Sequence, residues 1–126
     1  MLPKLFGFLL FLSVHAYGAT PAELLAGYTA QAGPPANATR GEAFFKASHG
    51  QEWQCTSCHG KSPMVGGRHA STDKTIEPLA PAANPKRFTD SAKAEKWFRR
   101  NCKDVLAREC TAAEKADVLA WLISVR

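Results

Sequence analysis

At 126 residues the chain has room for one ordinary domain and not for two, and it shows no internal repeat. Its formal net charge is +5 at pH 7, falling to +4 if a leader containing Lys4 is removed. No nucleic-acid recognition motif accompanies this excess, which argues against a nucleic-acid partner.

The first residues, MLPKLFGFLLFLSVHAYGA, combine Lys4 with an apolar run from Leu5 to Val14. The run is short for a bilayer span, and Ala16 and Gly18 suit the small-residue positions of a cleavage site. The sequence predicts a cleaved signal peptide over residues 1–18, with a cut after Ala19 as the alternative, and a mature domain over 19–126. A retained anchor is the competing reading, and the short apolar run disfavours it. No later segment is apolar enough to cross a membrane, so no span is expected after cleavage. The mature domain is expected in a bacterial periplasm. That compartment is oxidising, and spare cysteines there tend to pair.

TPAELLAGY opens a helix, with Thr20 as N-cap, Pro21 at the first helical position and Glu23 completing a capping box. QAGPPANAT breaks it. A second helix is predicted from about Arg40 to Ser48, with Gly41 and Phe45 one turn apart. Next comes CTSCHG at residues 55–60. Two cysteines, two intervening residues and a histidine form the attachment signature of c-type haem. Cys55 and Cys58 would form thioethers to the haem vinyl groups, and His59 would bind iron from one side. Zinc and thiol redox chemistry also use paired cysteines. Zinc would need two further ligands, and the spacing of Cys102 and Cys110 is not that of a zinc knuckle. A thioredoxin-like reading lacks the βαβ pattern.

From Gly60 to Pro85 the chain includes Gly66, Gly67, Pro78, Pro81 and Pro85 and shows little periodicity. It reads as a long loop wrapped around the haem edge. TDSAKAEKWFRRNC is a third helix capped by Thr89 or Asp90, with Trp97 and Asn101 one turn apart on one face and Phe98 and Cys102 beside them. TAAEKADVLAWLISVR is the last helix. It opens with a capping box, Thr111 to Glu114, and has a wide apolar face of Val118, Leu119, Trp121 and Leu122. No segment shows strand alternation, so the fold class is all-α. Gly41 and Phe45 facing Val118 and Trp121, with CTSCH between them, resemble the class I cytochrome c fold, in which the first and last helices cross closely around one covalently bound haem.

The identity of the second iron ligand decides between a closed electron carrier and a protein that binds gases. Met64 lies only five residues after His59 and would have to turn around the macrocycle edge at no more than about 3.5 Å per residue. His69 could reach from an open loop, and histidine is a common haem ligand. His49 suits a surface or propionate contact, and His15 falls in the leader. Cys102 and Cys110 remain once haem has taken its pair. A continuous helix would separate them by about 12 Å. A disulfide needs Cα atoms within about 7 Å. If they pair, the helix must end between them.

PKRFTDSAKAEKWFRRNC and CTAAEKADVLAWL, with TPAELLAGY in front and CTSCHG in the middle, resemble the sphaeroides haem protein family over essentially the whole mature chain. The resemblance implies a Cys102–Cys110 disulfide, with Asn101, directly before it, as the sixth ligand. It further implies a ligand that leaves on reduction, opening a site for O₂, NO or CO, with Trp97 walling the pocket. A dihaem cytochrome c is the implied electron donor. Oxygen reduction and nitric oxide dioxygenation are activities such a site would permit. His69 and Met64 depart from the family pattern and keep open the rival reading, a plain electron shuttle with closed iron. Residues 86–108 hold eight basic residues against three acidic ones. This segment is either a solvated helix face or a docking patch for an acidic redox partner.

Overall fold

The computed structural model describes residues 18–126, so the leader expected over 1–18 lies outside the described residues except for Gly18. Helix α1 spans Pro21–Ala32. Its capping box closes as expected: Thr20 Oγ1 accepts from the Glu23 amide at 3.1 Å, and the Thr20 amide donates to Glu23 at 2.7 Å. Helix α2 spans Ala38–Lys46, starting and stopping two residues earlier than the sequence suggests. The reason is Asn37, whose side chain accepts from the Arg40 amide at 2.8 Å and so fixes the N-terminus. Helix α3 is the single turn Cys55–His59.

The following loop contains a two-residue antiparallel ladder, which the sequence reading did not anticipate. Strand β1 is Gly67–Arg68 and β2 is Thr75–Ile76, with Gly67 opposite Ile76 and Arg68 opposite Thr75. A strand of two residues has no alternation to read. Helix α4 spans Ser91–Leu106 and is capped by Asp90, which accepts from the Lys93 amide at 2.9 Å. It ends where Ala107 adopts the left-handed conformation, with φ +57°. Helix α5 spans Ala112–Ser124 behind the expected Thr111–Glu114 capping box.

The core sits where α2 crosses α5. A Cβ on Gly41 would overlap the Asp117 carbonyl, so only glycine permits this approach. Phe45 and Trp121 pack with ring centroids 5.0 Å apart, and Val118 and Leu122 complete the buried cluster. A second cluster joins α1 and α4 to the other side of α5 through Leu24, Tyr28, Ala94, Ala116 and Leu119. The crossing expected from Gly41, Phe45, Val118 and Trp121 is therefore present.

A polar clamp locks the same crossing. Asp117 is buried at 7% exposure. It accepts from the Asn37 amide at 2.7 Å and from two Arg40 nitrogens at 2.7 and 3.0 Å. Burial opposes ionisation of Asp117, but the Arg40 and Asn37 hydrogen bonds outweigh it and hold the carboxyl below its ordinary range.

Candidate haem site

Helix α3 has 3.6 residues per turn, so residues i, i+3 and i+4 share a face. Cys55, Cys58 and His59 have this spacing, which puts two thiols and an imidazole on one side of one turn. The two cysteines are not bonded to each other. Cys55 packs against the cluster of Phe45, Val118, Trp121 and Leu122. Burial pushes its thiol up to about 11. The His59 ring lies 6.0 Å from that of Phe45. Burial, with help from the Arg87 charge, brings His59 down to about 4, so the imidazole is neutral near pH 7 and has a lone pair to donate.

Arg87 is half-buried. Its Nε donates to the Pro78 carbonyl at 2.9 Å and a terminal nitrogen donates to the Glu77 carbonyl at 2.7 Å. Burial lowers its pKa against the attraction of Glu77. In the sequence it looks like any other member of the basic stretch, and nothing there marks it as a loop anchor beside His59.

The hairpin packs directly on the attachment turn. A Cβ on Gly67 would overlap the Cys58 carbonyl. The Ala70 amide donates to Cys58 Sγ at 3.2 Å. His69 holds the hairpin tip: its Nδ1 accepts from the Ser71 and Thr72 amides, each at 3.3 Å. The Ser71 hydroxyl reaches the same nitrogen at 3.2 Å. Met64 is half-buried in the same loop. His49 contacts the Phe44 carbonyl at 2.9 Å.

On α4, Ala94, Cys102 and Val105 are buried while Trp97 and Asn101 are exposed. Trp97 is 43% exposed and is flanked by Lys96 and Arg100, at 5.7 and 5.3 Å from its ring. Cys102 and Cys110 form a disulfide with Cα atoms 5.6 Å apart. The helix ends at Ala107, between the two, as that pairing requires. Because these sulfurs bond each other, they are not available to complete a zinc site with Cys55 and Cys58.

These residues fit a covalently held haem. Two thiols and a neutral imidazole share one face, and Val65 and Trp97 are large apolar side chains left at the surface, at 64% and 43% exposure. Phe88 and Phe98 pack on the same cluster as Cys55, so the attachment turn and α4 share a core.

Residues 31–122 match a family described as a domain of unknown function, DUF1924. The chain is 51% identical over 107 residues to the cytochrome c-type protein SHP of Cereibacter sphaeroides, covering 82% of each. It superposes on the structure of oxidised SHP, an oxygen-binding cytochrome c, with a TM-score of 0.81 and 50% identity, covering 86% of this chain and 99% of that one. The chain belongs to the sphaeroides haem protein family. Its fold is therefore that of a class I-like cytochrome c, and its cofactor is haem c. A second bacterial relative is cytochrome c'' of Methylophilus methylotrophus, 42% identical over 90 residues, 68% of this chain and 62% of that protein. The oxidised form of that relative superposes with a TM-score of 0.72 and 36% identity, covering 84% of this chain and 94% of that one.

Proposed function

We propose that the mature protein is a periplasmic monohaem cytochrome c that accepts electrons and, once reduced, binds a diatomic gas. Cys55 and Cys58 hold the haem through thioethers, and His59 is the proximal ligand. Asn101 is the distal ligand in the oxidised state. Residues 1–18 are the export signal removed from the 19–126 domain. The haem would supply one-electron chemistry and an iron for His59 and Asn101 to hold.

The observation that carries this reading is Asn101 itself: exposed on α4 and directly followed by the Cys102–Cys110 disulfide, in a chain half identical to an oxygen-binding cytochrome c. A carboxamide oxygen is a neutral, hard donor that suits ferric better than ferrous iron. Reduction therefore loosens it. The solution structure of cytochrome c'' concerns haem-ligand detachment in that protein, which supports a ligand that leaves. The freed Asn101 amide would be a hydrogen-bond donor for a small ligand, and Trp97, one turn earlier on α4, would wall that space. His69 is ill suited to replace Asn101, because contacts to Ser71 and Thr72 tie its ring to its own hairpin tip. An acidic cytochrome, such as a dihaem cytochrome c, fits as donor because Lys93, Lys96, Arg100 and Lys103 line one exposed stripe of α4.

The test is an absorption spectrum of the reduced protein with and without CO. A five-coordinate ferrous form that binds CO stoichiometrically is expected. A six-coordinate ferrous form inert to CO would establish the closed electron shuttle instead.

A further inference from the structure

His69 has no part in holding the haem in the proposed function, yet it has a built environment. It begins the tip between β1 and β2. Its amide donates to the Lys74 carbonyl at 2.9 Å, and its own carbonyl accepts from the Asp73 amide at 2.9 Å. Its ring packs edge-on to Trp53 with centroids 6.1 Å apart. Its Nδ1 takes the amides two and three residues ahead, Ser71 and Thr72. An asparagine oxygen plays this part in an Asx turn, and Nδ1 stands at the equivalent place along the side chain. The residue inside the turn so formed is Ala70, whose amide points at Cys58 Sγ. Gly67 brings the strand against the same turn of α3.

We propose that the hairpin tip tunes the haem from outside its ligand sphere: His69 is a positioning residue that aims the Ala70 N–H at the sulfur of Cys58. The inference rests on the reading that this sulfur is a haem thioether. A thioether sulfur is still a weak acceptor, so haem attachment does not remove the acceptor. The N–H dipole turns its positive end toward the macrocycle edge. That field favours the reduced haem, which carries one less positive charge, and so raises the reduction potential. Hydrogen bonding around the cofactor is one of the means by which a protein sets haem potential.

The experiment compares ferric and ferrous holoprotein of wild type, His69→Ala and His69→Asn. The readouts are the midpoint potential, amide hydrogen exchange at Ala70 and the ferric spectrum. In His69→Ala the potential should fall by the equivalent of about a threefold change in the reduction equilibrium, about 28 mV at 59 mV per tenfold for one electron. Ala70 should exchange faster, and the ferric spectrum should not change. His69→Asn keeps an acceptor at the right distance and should restore both potential and protection. If His69→Ala fails to accumulate with haem, His69→Gln serves in its place, since its acceptor lies one bond too far out. An unchanged potential in the variant lacking the acceptor, or a shift that asparagine does not reverse, overturns the proposal. So does a change of ferric spin state, because His69 would then be on the iron. Failure of the underlying reading looks different: mass spectrometry of the wild type would find no haem covalently bound.

Discussion

Asp117 carries a charge into the interface between α2 and α5, where the backbones touch at Gly41. Its two oxygens accept three hydrogen bonds, one from the Asn37 amide that starts α2 and two from Arg40. Asp117→Ala leaves these donors without a buried acceptor and should cost about 2 kcal/mol in a denaturant titration of the holoprotein. The pH dependence follows from the depressed carboxyl. A group whose folded pKa lies below its ordinary value, here 3.8, stabilises fully above that value and loses the contribution as pH falls through the folded one. Asp117→Asn should therefore flatten the acid limb of the stability curve below about pH 4 and leave its neutral slope unchanged. An acid limb as steep as wild type would show that the clamp does not couple to folding. The sequence marks the crossing but not this clamp, because an aspartate in an amphipathic helix reads as solvated until its partner 77 residues away is seen.

Element α4 joins the basic surface, Trp97, Asn101 and the disulfide in 16 residues. Its end is fixed twice, by the left-handed Ala107 and by the link from Cys102 to Cys110. Replacing both cysteines with serine should lower stability by about 2–3 kcal/mol in the chain-entropy account of so short a loop. It should also broaden the ferric spectrum, because the residue before Cys102 loses its anchor. Thiol titration of denatured holoprotein should find no free thiol. Two titratable thiols would mean that the bridge is not formed in solution. The helices were legible where capping chemistry announced them: Thr20 and Glu23, Thr111 and Glu114, and Asp90. Asn37 caps α2 in the same way, but its signal is weaker in the sequence because Pro34 and Pro35 stand just before it. The β1–β2 ladder was not legible, since two-residue strands carry no pattern. Cys55, Cys58 and His59 are legible from spacing alone. Asn101 stands out only through family resemblance, because an exposed asparagine in a helix has no chemical signature.

Across the whole molecule, the excess charge is concentrated in residues 86–108, which hold eight basic residues against three acidic ones. Arg99 pairs with Glu109 at 3.2 Å and Arg108 with Glu114 at 2.8 Å, so part of the basic segment is neutralised internally. Lys93, Lys96, Arg100 and Lys103 remain exposed on the same helix as Asn101. Among the described residues no helix is long and apolar enough to cross a membrane. Electron transfer from an acidic donor cytochrome should slow as salt rises, since exposed charges are screened over about 8–10 Å near physiological ionic strength. Lys93→Glu with Lys103→Glu should slow it at low salt without disturbing the side chains that cover Trp97. Stopped-flow rates indifferent to both salt and charge would leave the stripe as a solvated face.

The proposed function requires that Asn101 is the oxidised-state ligand and leaves on reduction. The measurement that addresses it most directly is the ferric absorption and electron paramagnetic resonance spectrum of Asn101→Ala, with His69→Ala recorded beside it. Haem should stay attached, since Cys55, Cys58 and His59 are untouched. The ferric iron of Asn101→Ala should become high-spin and bind cyanide faster, while ferrous CO affinity stays close to wild type. His69→Ala should leave the ferric spectrum as it was. A ferric spectrum that remains low-spin in Asn101→Ala and turns high-spin in His69→Ala would contradict the claim and make histidine the distal ligand.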